Sequence, residues 1–158
     1  NSHRGYIMKI YRELYRVARQ YYENQHRENG WCGVIACAVA TGSAFGKARS
    51  VLYKHGRKNG EGSEHSAIWR TLEDLGYYSN WIPEEEYRAR TLHTAIKEFA
   101  KRDGTFFIYS CKGRTAHVTC VKDGQVEDWA HPDIYPTARM RADKRKVYRV
   151  ERITKQGA

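Results

Sequence analysis

The chain has 158 residues, 41% of them hydrophobic and 13% aromatic, which suits one domain with a real core and leaves little room for two. That composition excludes a disordered chain, and no apolar run approaches the roughly 20 residues of a membrane span. A net charge of +10 and a pI near 9.5 favour acidic partners, but no P-loop, RNA-recognition strand motif or zinc finger accompanies them, so direct nucleic-acid recognition is the lesser reading.

Residues 1–7, ahead of Met8, lack the basic and apolar regions of a secretory signal and read as a remnant or extension outside the fold. A first helix is expected over 6–22, where Ile7, Ile10, Tyr11, Leu14, Val17, Ala18 and Tyr21 recur at helical spacing. After a polar loop, 33–41 is apolar nearly all round and stops at Gly42, so it reads as a central helix with a left-handed cap. Ser43 and Ser63 are placed to cap helices over 44–55 and 64–75, which Gly56 and Gly76 end. The basic loop 56–62 between them reads as surface. Trp81-Ile82-Pro83 looks extended, and Thr91 opens a helix whose buried stripe is Leu92, Ala95, Ile96 and Phe99, with Gly104 closing it.

From Thr105 the pattern changes to strands over 105–111, 115–122, 125–129 and 147–153, the last within a basic C-terminal segment from residue 136. Helices precede strands, so the expected class is α+β with a mainly antiparallel sheet.

Four cysteines, Cys32, Cys37, Cys111 and Cys120, read as reduced thiols of a cytoplasmic protein, because the chain is large for a disulfide scaffold. Their spacing fits no structural zinc site, and no cofactor is implied. Cys37, Cys111 and Cys120 read as small buried hydrophobes. Cys32 differs. It stands where a polar, glycine-containing loop meets the apolar helix, and a helix N-terminus beside an imidazole lowers a thiol pKa and offers N–H groups to a developing oxyanion.

Asp123-Gly124 signals a two-residue hairpin, since a type I′ turn needs positive φ at both central positions. With Lys122 opposite Gln125, Thr119 faces Asp128 and His117 faces Ala130. His117 and Asp128 then share a face as diagonal neighbours roughly 7–8 Å apart. A loop one residue longer would substitute Glu127 for Asp128. Cys32, His117 and Asp128 are thus the expected nucleophile, base and orienting acid. The remaining histidines, His26, His55, His65, His93 and His131, read as surface residues.

A cysteine opening a central helix, followed by histidine and acid on later strands, resembles the papain-like cysteine peptidases. More narrowly, Ala38-Val39-Ala40-Thr41-Gly42, His55-Gly56-Arg57-Lys58, Gly104-Thr105-Phe106, Ala116-His117-Val118 and Lys122-Asp123-Gly124 are similar to small papain-like proteins of bacteriophages. The resemblance covers residues 29–129 and implies a papain-like α+β domain acting on a protein or peptide substrate inside the host cell. In that family a glutamine six residues before the cysteine commonly completes the oxyanion hole. Here His26 occupies that position, and the resemblance leaves Gln25 or Asn29 for the role. Relatives use the same site for amidase, transglutaminase or acyltransferase chemistry, so thiol-mediated acyl transfer is the expected activity. The alternative is a catalytically silent fold that binds a host protein or nucleic acid through its basic surface.

Overall fold

The computed structural model describes residues 16, 31–58, 63–113, 115–127 and 145–157. Arg16 is helical, and the rest of the expected first helix lies outside the described residues. From Trp31 onward the described residues form helices α1 (Cys32–Thr41), α2 (Phe45–Lys54), α3 (His65–Asp74) and α4 (Leu92–Ala100). Strands β1 (Tyr77–Trp81), β2 (Thr105–Lys112), β3 (Thr115–Lys122), β4 (Gln125–Glu127) and β5 (Lys146–Lys155) join in one antiparallel sheet of order β1-β5-β2-β3-β4.

The class is α+β, as the period change at Thr105 implies. One strand breaks the expected order. β1 lies between α3 and α4 and pairs with β5 at the sheet edge, from Tyr77 opposite Lys155 to Trp81 opposite Glu151. Its polar Ser79 and Asn80 hid it, because an edge strand has little to bury.

Helices cover both faces of the sheet. Phe107, Tyr109, Val118, Cys120 and Ile153 pack with α1, α2 and α3. On the opposite face, Phe106, Ile108, Val121 and Val150 pack with Leu92, Ala95, Ile96 and Phe99 of α4, the stripe read from spacing. Thr91 opens α4 through a reciprocal capping box with Thr94.

Every residue of α1 from Gly33 to Ala40 is buried, which accounts for its all-apolar sequence. Gly42 ends the helix in the left-handed region at φ 69°, and Lys122 Nζ donates to the Val39 carbonyl at 3.0 Å, tying β3 to the negative end of α1.

Two expected caps are corrected. Helices α2 and α3 start after Ala44 and Glu64 with no side-chain cap bond. The Ser43 hydroxyl instead meets that of Thr41 at 2.8 Å, and Ser63 lies against Gly33, where a methyl group added to the glycine would sit 3.4 Å from Ser63 Oγ. The reading of 56–62 as surface is also corrected at Arg57, which is 2% exposed. Its guanidinium lies 4.9 Å from the Trp31 ring and 5.5 Å from that of Tyr53, and a flat, weakly hydrated cation tolerates such burial.

Candidate active site

Cys32 is the first residue of α1 and is half-buried, whereas Cys37 and Cys120 are fully enclosed. Cys111 is half-buried too, which corrects the reading of it as a core residue: it stands near the end of β2, where enclosure is incomplete. None of the four cysteines is in a disulfide among the described residues. The first turn of α1 contains no acidic residue, and the Trp31 side chain makes no cap bond to it.

The Asp123-Gly124 turn has the expected form. Asp123 and Gly124 take φ 49° and 80°, Lys122 pairs with Gln125, Val121 with Val126 and Cys120 with Glu127. Asp128, Gln25 and Asn29 lie outside the described residues. His117 stands on β3 opposite Ser110 and is 8% exposed. Strand alternation gives it the parity of Thr119 and Val121, toward α4, while α1 packs over Val118 and Cys120.

Sequence reading missed His65, the first residue of α3. With Ser63 against Gly33, the starts of α1 and α3 meet. His65 is not a surface residue. Its ring stands edge-on to Tyr109 at 4.5 Å, stacks beside Trp69 at 6.0 Å, and its Nε2 meets the Tyr148 hydroxyl at 3.0 Å. His55 and His93 are half-buried as well, His55 through a 2.7 Å bond to Asp74, while His26 and His131 lie outside the described residues. The only local clue to the role of His65 was Trp69 one helical turn away, since its other partners come from strands far along the chain.

Tyr148 owes its position to a β-bulge. Tyr109 pairs with Arg149 and Ser110 with Val147, so Tyr148 is the extra residue on β5. A bulge turns one side chain out of the strict alternation, and here it gathers Tyr148 with Arg149, Tyr109 and His65. The hydroxyl is held in its protonated form above the usual tyrosine value by burial first, then by the negative character of Cys111 and Cys32. Burial lowers the His65 pKa, opposed by Glu151 and assisted by Arg149, so the ring is neutral near pH 7.

Beneath this group Glu151 is fully buried. Its Oε2 accepts from Arg149 Nε at 2.6 Å and from Trp69 Nε1 at 2.8 Å, and burial first, then Glu151, raises the pKa of the buried Tyr109 hydroxyl well above its ordinary value. The described residues hold no cluster of three or more metal-ligating side chains, and none of their helices is long and apolar enough to cross a membrane. No protein-family model, curated protein or solved structure matches the chain.

Proposed function

We propose that the chain is a papain-like cysteine hydrolase or acyltransferase acting on a protein or peptide through Cys32. The observation that carries this reading is the partly accessible thiol at the start of a helix that is otherwise enclosed. The helix dipole stabilises negative charge there, and the N–H groups of the first turn are donors an oxyanion can use. In the reaction, the Cys32 sulfur bonds to the carbonyl carbon and the C=O pair moves onto oxygen. Collapse restores C=O and expels the leaving group, which takes the proton that the thiol gave to its base. The sequence makes His117 that base, with Asp128 orienting it and Gln25 or Asn29 contributing to the oxyanion hole. Because β3 gives His117 the parity that faces α4 and not α1, the alkylation rate of Cys32 decides between His117 and His65.

The test is the rate of Cys32 alkylation by iodoacetamide between pH 5 and 9, located by peptide mass mapping. The parent should show a Cys32 midpoint well below the free-thiol value of about 8.5 and faster labelling than Cys111. His117→Ala should move that midpoint upward and His65→Ala should not. If Cys32 and Cys111 label alike, the activated-thiol reading fails. A shift produced by His65→Ala alone would transfer the base role to His65, whose position against α1 makes it the competitor.

The second reading, a catalytically silent binding protein, draws on Trp81, 61% exposed on the edge strand, beside a strongly basic chain. Phosphate-driven binding would weaken steeply between about 50 and 200 mM salt.

A further inference from the structure

We infer that Tyr148, held by His65, donates its hydroxyl hydrogen to the oxyanion formed when Cys32 attacks a carbonyl. This rests on the reading of Cys32 as a nucleophile and supplies a donor from the far end of the chain.

Four observations converge on this role. The bulge at Tyr148 interrupts an otherwise regular β2–β5 ladder at the one place where strict alternation would leave this ring on the other face. Such irregularities re-aim side chains beside active sites. The ring is anchored against His65 and Tyr109, yet Tyr148 is 45% exposed, so the residue is both positioned and reachable by a substrate. Ser63, two residues before His65, lies against Gly33, the residue that follows Cys32, so α3 starts beside the start of α1. Finally, after burial, Cys111 and Cys32 are the next causes that raise the Tyr148 pKa, in keeping with both thiols lying on its side of the sheet.

Either partner can donate in the 3.0 Å contact between His65 Nε2 and the Tyr148 hydroxyl, and the inferred role takes the tautomer with the proton on Nε2, in which His65 donates to the Tyr148 oxygen. The tyrosine O–H is then left to donate elsewhere, and accepting one bond strengthens the bond it donates. His65 is therefore a positioning residue. Tyr148 is the catalytic one, because its hydrogen touches the reacting oxygen.

p-Nitrophenyl acetate and iodoacetamide separate this role from thiol activation. With the ester, the Cys32 thiolate bonds to the acetyl carbon, the carbonyl pair becomes the oxyanion, and collapse breaks the bond to p-nitrophenolate, which leaves with its electron pair and needs no proton at pH 8. With iodoacetamide, sulfur displaces iodide and no oxyanion forms. Tyr148→Phe keeps the ring and its packing. Acetylation at Cys32, read by peptide mass mapping, should slow about 100-fold, as for loss of one oxyanion donor, while alkylation at Cys32 stays within about twofold. His65→Gln should lower the acetylation-to-alkylation ratio in the same direction and by less. Unchanged acetylation in Tyr148→Phe, or equal slowing of both reactions, overturns the inference while leaving Cys32 as nucleophile. A parent Cys32 that alkylates no faster than Cys111 overturns both together.

Discussion

Arg149 and Glu151, two residues apart on β5, meet at 2.6 Å with the carboxylate fully enclosed and the guanidinium 31% exposed over the Trp69 ring. Same-face neighbours on a strand stand two apart, so the pair needs no loop to form, and α3 closes over it with the Trp69 indole. Removing the carboxylate leaves the indole N–H buried without an acceptor and opens a cavity between α3 and the sheet. Glu151→Ala should cost about 2–3 kcal/mol in urea unfolding, and Glu151→Gln, which retains an amide oxygen and the volume, should cost less. Equal losses in the two variants would show that charge alone matters at this position.

Much of this architecture was legible because local chemistry and global packing agree. The Asp123-Gly124 pair specified both the turn and the register through Cys120 opposite Glu127, and the wholly apolar run after Cys32 announced a helix with no wet face. What escaped were contacts made between distant elements. Apart from Trp69 one turn along α3, no local signal distinguishes His65 from a surface histidine, because its partners Tyr109 and Tyr148 reach it only after the sheet forms. A bulge such as that at Tyr148 is a property of two strands in register, and β5 read alone shows an ordinary strand. Arg57 escaped in the same way: it follows α2 in a polar loop, and the Trp31 ring that joins nearby Tyr53 in covering it comes from the start of α1.

Asp74 accepts from His55 Nε2 at 2.7 Å, and Lys54 lies 3.5 Å away. The His55 bond is the largest cause holding the carboxyl below its ordinary value of 3.8. The folded state therefore binds this proton less readily than the unfolded chain. The resulting stabilisation is complete above the ordinary carboxylate range and disappears as pH falls through the folded value. Melting temperatures of Asp74→Asn should lie below those of the parent at pH 6 and converge with them toward pH 2.5. A constant gap across that range would count against the linkage.

His65 carries the opposite proton balance. Burial, the first cause, depresses its pKa from 6.5, so near and below that pH the unfolded chain takes up a proton that the folded ring still refuses. Its contribution to stability is present above the ordinary value and declines as pH falls. In histidine-resolved NMR titration, the resonance assigned by comparison with His65→Gln should show a midpoint below 6.5. A midpoint at or above that value would mean that Glu151 outweighs burial at this ring.

Gly124 tests the hairpin on which the expected pairing of Asp128 with His117 depends. It sits at φ 80°, where a side chain strains the backbone, and a methyl group built there would lie 3.2 Å from the Ala100 carbonyl oxygen. Neither contact can relax cheaply, because the carbonyl belongs to the C-terminal turn of α4 and the turn joins two paired strands. Gly124→Ala should therefore destabilise by about 1–2 kcal/mol, the usual cost of left-handed backbone for a residue with Cβ. Asp123→Gly, at φ 49°, relieves the same kind of strain but frees the unfolded chain and should change stability by less than about 1 kcal/mol. If Gly124→Ala melts with the parent, the turn is not held in the two-residue form. The diagonal relation expected between His117 and Asp128 would then lose its anchor, and the base assignment would rest on the direct comparison of His117→Ala with His65→Ala.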